Sequence, residues 1–239
     1  MKTLLILHGW QDAKEPWEPV KKEIEKSGIN VIIPDLPGFK KENSIEKPWD
    51  LNDYVEWVKK FVEKNINKQF FLAGYSFGGR VSIKFANKYP ERICGLILIS
   101  GAGITPRPKI KIKVFWLFSK IGDMIFSLPI LNSFKPLLRK VVYFIAGTRD
   151  YRKIESPFMK QTFRSVIGEN LTNLLSKISM PTLILWGDKD VVTPISDAYI
   201  MRKQIPNSEL EILKGFKHCS YVKNPELTSQ KITDFINKN

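Results

Sequence analysis

The segment that most constrains this chain runs from Phe70 through Leu72 and Ala73 into Gly74, Tyr75, Ser76, Phe77, Gly78 and Gly79. A short apolar run of strand type leads straight into a Gly-x-Ser-x-Gly frame. The residues that follow, Arg80 to Lys88, place Val81 and Phe85 on one helical face. Strand, sharp turn and helix are the context in which this frame carries chemistry. A serine at such a turn is forced into a strained backbone conformation that lifts its hydroxyl clear of the sheet. Gly74 and Gly78 are expected there because a Cβ would collide with the neighbouring strand or helix. The free N–H groups of the helix's first turn favour negative charge. Composition alone yields such a pentapeptide in about one chain in ten of this length, so its meaning comes from the flanking elements and from three further segments.

The first is Thr3 to Leu7, an apolar run delivering the chain to His8, Gly9 and Trp10. A strand ending there suits a loop that offers backbone N–H groups to a developing alkoxide. One donor is expected from Phe77, the residue after the serine, and the other from Trp10. His8 reads as a brace within the loop.

A serine hydroxyl needs a base. The chain has two histidines. With His8 assigned to the loop, His218 remains, on a loop after the strand-like Leu210–Leu213 and before a final helix from Glu226 to Phe235. A carboxylate must fix the imidazole tautomer and stabilise its cation. The preceding strand, from Thr182 to Trp186, ends in Gly187, Asp188, Lys189 and Asp190. Spacing alone leaves Asp188 and Asp190 both open; whichever is not the acid reads as a turn residue bonded to its own backbone.

Together the segments Leu7 to Trp10, Pro34 to Gly38, Gly74 to Gly79, Trp186 to Pro194 and Gly215 to His218 resemble the α/β-hydrolase superfamily. They follow its order of Ser, Asp, His and span almost the whole chain. The resemblance implies an α/β-hydrolase fold, with Ser76 as nucleophile, His218 as base and Asp190 as acid, because the family's Gly-x-x-Asp-x-x-x-Pro pattern puts its acid there. It makes the Asp35–Gly38 turn a structural bend. Family members that dehalogenate or open epoxides carry aspartate where this chain has Ser76. Most members carry strands before the His-Gly strand, and this chain begins on it, so a mostly parallel sheet of about six strands with helices on both faces is expected.

Strand–helix alternation breaks between Gly103 and Ser179. Apolar and aromatic clusters, interrupted by Pro129 and Pro136, fill the gap. The reading is a hydrolase core from residues 1–103 and 180–239, with a helical cap, residues 104–179, entered through a hinge at 105–113. Such caps resemble lids that wall a pocket. Trp116, Phe126, Phe144 and Phe158 are candidate pocket lining. Elsewhere Asp50 should cap a helix from Leu51 to about Lys64, with Tyr54, Trp57, Val58 and Phe61 as its inner stripe.

The net charge is +14, with 38 Lys and Arg against 24 Asp and Glu. Residues 105–164 hold five Arg and eight Lys against Asp123, Asp150 and Glu155, a net of +10. No nucleic-acid motif accompanies this charge; contact of the basic cap with an anionic membrane is a minor alternative. No run reaches the roughly 18 apolar residues of a membrane span. Two cysteines, Cys94 and Cys219, do not make a disulfide framework, and a cytoplasmic setting is expected. No cofactor or metal is expected. The sequence therefore points to a serine hydrolase of small to medium hydrophobic esters, a carboxylesterase. Lactonase, thioesterase, carbon–carbon bond hydrolase and perhydrolase activities share the same side chains, and a ligand-binding receptor on this fold is the non-enzyme alternative.

Overall fold

In the computed structural model, which describes residues 1–10, 12–104, 154–218 and 220–239, the apolar runs form six strands. These are β1 (Thr3–Leu7), β2 (Asn30–Ile32), β3 (Phe70–Tyr75), β4 (Ile93–Ile99), β5 (Thr182–Gly187) and β6 (Ser208–Leu213). They pair in the order β2-β1-β3-β4-β5-β6, every pair parallel. The expected six-stranded parallel sheet is present, and a three-residue β2 forms one edge, which limits the pairing surface left exposed.

Both faces of the sheet are buried because successive residues point to opposite sides. Leu5, Leu7, Phe70, Leu72, Leu96, Leu98, Ile184 and Trp186 face one hydrophobic cluster. Leu4, Ile6, Phe71, Ala73, Ile97, Ile99, Leu183 and Leu185 face the other. Helices α2 (Leu51–Asn65) and α3 (Phe77–Lys88) cover the first face; α1 (Glu18–Glu25) covers the second, together with the last helix of the chain.

The α2 helix begins where its signals place it. Asp50 accepts from the N–H groups of Asn52 and Asp53, and the Asp53 carboxylate accepts in return from Asp50 N–H at 2.8 Å. Its buried stripe differs from the expected one: Leu51, Tyr54, Val55, Val58 and Val62 face inward. Trp57 and Phe61 stack on each other, ring centroids 5.4 Å apart, at the partly covered rim. Two large rings four residues apart satisfy one another there, and the slimmer valines fit against the sheet.

Of the segment expected to form a cap, the described part holds α4 (Pro157–Gly168) and α5 (Thr172–Leu175). The hinge at 105–113, Trp116, Phe126 and Phe144 lie outside the described residues. The points where the chain leaves and re-enters the sheet region are stitched side by side. Leu171 N–H donates to Gly103 O at 2.8 Å, and Thr172 Oγ1 donates to Ile104 O at 3.0 Å. Two cations of α3 meet the carboxyl end of α4: Arg80 donates to Glu169 O at 2.7 Å and to Ile167 O at 3.3 Å, and Lys84 pairs with the Glu169 carboxylate at 2.6 Å. Unpaired carbonyls at a helix end attract such cations. Beyond these come α6 (Ile195–Gln204), α7 (Ser220–Lys223) and α8 (Pro225–Lys238). No helix among the described residues is long and apolar enough to cross a membrane.

The connections set where ligands can bind. From β1 the chain goes outward to β2, then returns across β1 to β3 and continues the other way. The carboxyl ends of β1 and β3 therefore flank a crevice, the usual ligand position in an open parallel sheet. The closeness of those ends rests on Gly78, where a Cβ would lie 2.1 Å from Leu7 O and 2.8 Å from His8 O. Gly78→Ala is expected to cost about 3 kcal/mol or more, because the obstacles are backbone and not yielding side chains. Gly168→Ala, with nothing within 4 Å of the new Cβ, should stay within about 1 kcal/mol of the parent. Urea midpoints of the two variants check this contrast.

Candidate active site

Ser76 sits between β3 and α3 with φ 50° and ψ −111°. This is a left-handed conformation costing a β-carbon residue on the order of 1–3 kcal/mol unless its surroundings hold it. They do so through both polar backbone groups: Ser76 N–H donates to Ile99 O at 3.1 Å, and Ser76 O accepts from Gly79 N–H at 3.0 Å and Ala102 N–H at 2.9 Å. Gly74 makes room for the turn, since a Cβ there would meet Ser82 Oγ at 2.4 Å and Gly78 O at 2.5 Å. The collisions expected from sequence at Gly74 and Gly78 are those the structure contains.

His218 reaches this hydroxyl from the loop after β6. Its Nε2 lies 3.0 Å from Ser76 Oγ, and its Nδ1 lies 2.8 Å from Asp190 Oδ2. Asp190 follows β5, and its side chain is fully buried. Both of its oxygens have partners: Oδ1 accepts from Val192 N–H at 2.9 Å and Thr193 N–H at 3.0 Å, and Oδ2 faces the imidazole and the Thr193 hydroxyl at 2.9 Å. Burial pushes the carboxyl pKa up. The hydrogen bond and charge of His218, with the Thr193 N–H, outweigh it, so the group ionises below its ordinary value. With Asp190 ionised, Nδ1 keeps its proton and Nε2 is left to accept from the serine.

The loops that carry Asp190 and His218 are clasped to each other. Lys189 N–H donates to Phe216 O at 2.9 Å and Asp188 N–H to Leu213 O at 3.3 Å. The strands come so close that a Cβ on Gly187 would lie 2.4 Å from Phe216 O. Asp188 departs from the turn role expected of it. It does not close its own turn; its Oδ1 accepts from Gly215 N–H at 2.6 Å across the two loops. The turn bonded to its own backbone belongs to Asp190, through the N–H groups two and three residues on.

On the opposite side, His8 is wholly buried. Its Nδ1 donates to Gly9 O at 2.8 Å, and its Nε2 accepts from Leu36 N–H at 2.8 Å. Burial lowers its pKa, which keeps it neutral in the tautomer these partners require. It braces the loop and ties it to the Asp35–Gly38 bend. Gly9 lies against the Tyr75 ring, and a Cβ there would come 3.5 Å from Ser76 Cβ. Trp10 follows it, packed edge-on to Phe77, Phe39 and Phe163 at centroid distances of 5.2, 4.9 and 5.0 Å. Phe77 is the first residue of α3, so its N–H has no acceptor within the helix.

Of the aromatic residues expected to line a pocket, only Phe158 lies among the described residues, and it is 40 % exposed. The ring of α4 that meets Trp10 is Phe163, five residues further along and on a different face. Sequence reading also missed Thr193, whose hydroxyl lies within 3.2 Å of His218 Nδ1, Asp190 Oδ2 and Ser100 O. The Asp-x-x-Thr spacing was its visible signal. Among the described residues, no group of three or more His, Cys, Asp or Glu could hold a metal ion. The arrangement is equipped for proton transfer from a serine hydroxyl to an imidazole oriented by a carboxylate.

Comparison with known proteins agrees with this fold. The family model described as alpha/beta hydrolase fold matches residues 2–225. The monoacylglycerol lipase ABHD6 of Mus musculus is 31 % identical over 256 aligned positions, which cover 98 % of this chain and 75 % of that protein. A solved membrane phospholipase A, described as a bacterial virulence factor, is 26 % identical with a TM-score of 0.73, covering 99 % of this chain and 79 % of that one. An esterase from Exiguobacterium antarcticum superposes with a TM-score of 0.77 at 21 % identity, covering 99 % and 92 %; at that identity the likeness is one of fold.

The Asp190 carboxylate makes a pH prediction. Its folded pKa lies below the ordinary 3.8. Between the folded value and 3.8 the unfolded chain binds the extra proton, so stability rises with pH there. This contribution is complete above about pH 5 and fades as pH falls through the folded value. Asp190→Asn should show a flatter decline of unfolding free energy between about pH 5 and pH 3 than the parent. Parallel declines in urea titrations across that range would show that this carboxylate does not carry the effect.

Proposed function

The chain belongs to the alpha/beta hydrolase family, and on that premise we propose that it is a serine hydrolase, a carboxylesterase cleaving small to medium hydrophobic esters. The observation that carries the reading is the unbroken line from Asp190 Oδ2 through His218 to Ser76 Oγ, with contacts of 2.8 and 3.0 Å. The names of the relatives, lipase and phospholipase, favour ester substrates with apolar acyl chains.

Ser76 Oγ attacks the ester carbonyl carbon while His218 Nε2 takes its proton. The carbonyl oxygen becomes an alkoxide, held by the N–H groups of Trp10 and Phe77, each worth on the order of 3 kcal/mol to the transition state. Asp190 stabilises the imidazolium formed at that moment. His218 then gives its proton to the departing alkoxide, the C–O bond breaks, and an acyl group remains on Ser76. Water, losing a proton to His218, attacks the acyl carbon; collapse releases the acid and returns the proton to Ser76. The tight carboxylate cage keeps Asp190 ionised through both half-reactions, which suits it to orient the imidazole and not to take its proton.

Residues 104–179 act as the lid over this site in the same reading, anchored at its return by Arg80 and Lys84. Trp10, Phe39 and Phe163 supply an apolar wall beside the serine, and Trp116, Phe126 and Phe144 are proposed to extend it. A wall of rings favours an apolar acyl or aryl group over a charged one.

Ser76→Ala is expected to abolish turnover of p-nitrophenyl esters while leaving the circular-dichroism spectrum and melting profile intact; retained turnover would mean another group attacks the carbonyl. Asp190→Asn should lower kcat by about 10³- to 10⁴-fold, by stranding the imidazole in the wrong tautomer. Asp188→Asn, which touches only the Gly215 amide at the surface, should cost far less. Steady-state rates of the pair decide the assignment of the acid, and the reverse order would transfer it to Asp188.

A further inference from the structure

Two residues that the mechanism leaves unused join the loop of the proposed oxyanion donor to the chain beyond the imidazole. The Tyr221 hydroxyl donates to Asp12 Oδ2 at 2.6 Å, between side chains 209 positions apart in sequence. Tyr221 stands three residues beyond His218 and opens onto the last turns of the chain. Asp12 closes the loop that begins at Gly9: its N–H donates to Gly9 O at 3.3 Å, so that Trp10 lies inside the turn. Its other carboxylate oxygen accepts from Ala13 N–H at 3.0 Å. One carboxylate thus fixes the exit of the loop and takes a bond from the far end of the chain.

The surroundings make this bond rigid. Tyr221 is 2 % exposed and stacks face to face on the buried Trp17, centroids 3.8 Å apart and planes 8° from parallel. Tyr75 meets Tyr221 edge-on at 4.8 Å and lies 5.1 Å from the His218 ring. The same Tyr75 ring touches Gly9 so closely that a Cβ there would come within 2.8 Å. The Tyr75–Tyr221–Trp17 block therefore has the Trp10 loop on one side and the His218 loop on another. A phenol held by stacking loses little further freedom when it makes its hydrogen bond, and a bond to a charged acceptor is stronger than a neutral one.

We propose that the Asp12–Tyr221 hydrogen bond is a positioning strap that holds the Trp10 amide in register with the His218 imidazole. This rests on the serine hydrolase reading above, and it adds a requirement that reading does not contain. An oxyanion donor acts only if its N–H meets the oxygen while the base meets the nucleophile, and an error near 1 Å can cost about 10²-fold in rate. In this chain the two groups come from opposite ends of the sequence, on loops after β1 and β6, which are not neighbours in the sheet. Sheet pairing alone does not lock them together. The strap does, with Asp12 as the oxyanion-side anchor and Tyr221 as the imidazole-side anchor. Neither residue touches the reacting atoms.

Tyr221→Phe keeps the ring and its stack and removes only the hydroxyl. With p-nitrophenyl butyrate, kcat per active site should fall about tenfold with KM within about twofold, the pattern of a contact made in the transition state. Burst titration of active sites corrects for any unfolded fraction. Binding of butylboronic acid, which forms a tetrahedral adduct on a serine hydroxyl, should weaken by the same factor, while inhibition by butyrate stays unchanged. Asp12→Ala should cost a similar factor, and the double variant should be no slower than the slower single. An unchanged kcat per active site, or losses that multiply in the double variant, would overturn the strap. A readout independent of turnover is amide hydrogen exchange across residues 8–13, expected to quicken in Tyr221→Phe; unaltered exchange also overturns it. If ester turnover persists in Ser76→Ala, the hydrolase reading fails by itself, and the exchange result still judges the coupling.

Discussion

The amino end of α3 and the carboxyl end of β1 meet backbone to backbone, and the site hangs on that contact. Gly78 lies where any side chain would enter the Leu7 carbonyl. Because it has none, the first turn of α3 comes down beside the loop that follows β1. Ser76, one residue before the helix, is then wedged between β4 and that turn, with its backbone groups bonded to Ile99, Gly79 and Ala102. The left-handed φ of Ser76 is a local cost that these bonds offset. The gain is orientation: the side chain projects into the crevice and cannot rotate back into the sheet. Loosening this contact would release the strain and displace the hydroxyl together.

A second close approach does the same work on the other flank. Gly187 against Phe216 lets the loops after β5 and β6 run side by side, bonded through Asp188, Lys189 and Gly215. The 2.8 Å contact between Asp190 and His218 is thus set by main-chain pairing before any side chain chooses a rotamer. Thr193 then locks the carboxylate from its own turn, and its main-chain carbonyl accepts from the Trp186 indole at 2.9 Å, tying that turn to the core. Both flanks of the site are held by glycines, Gly78 in the first turn of α3 and Gly187 at the end of β5, where two backbones come nearer than side chains allow.

Much of this was legible in the sequence, for a definable reason. Apolar runs of strand length punctuated by Gly-rich turns identify the sheet, and the order of Ser76, Asp190 and His218 along the chain identifies the loops that converge. What short-range pattern does not carry is contact between distant segments. With Asp190 taken as the acid, Asp188 reads as a turn former, because aspartates in turns often bond their own backbone, yet its partner Gly215 lies on another strand's loop. The inner face of α2 was misjudged at Trp57 and Phe61 because hydrophobicity suggests burial, whereas the space against the sheet admits Val55 and Val62. Tyr221 and Asp12 carry no motif at all; only folding shows that they meet. Phe163, which carried no signal in the sequence, lies beside Trp10 because helix phase, not aromatic identity, decides which residue of α4 turns inward.

The two histidines show how position alone assigns chemistry to one residue type. His8 has backbone partners on both ring nitrogens, no carboxylate bonded to it and no exposure to water. Its burial disfavours the cation, and protonating Nε2 would break the bond from Leu36, so its ring works as a neutral link between two loops. His218 is half-buried, with an ionised carboxylate at Nδ1 and a hydroxyl at Nε2. Its Nε2 meets a side-chain hydroxyl and not the main chain, so no link between loops depends on that nitrogen. The same ring is therefore a link between loops in one environment and part of the proposed catalytic line in the other, and the difference lies in its burial and in whether its nitrogens face the main chain or a carboxylate and a hydroxyl.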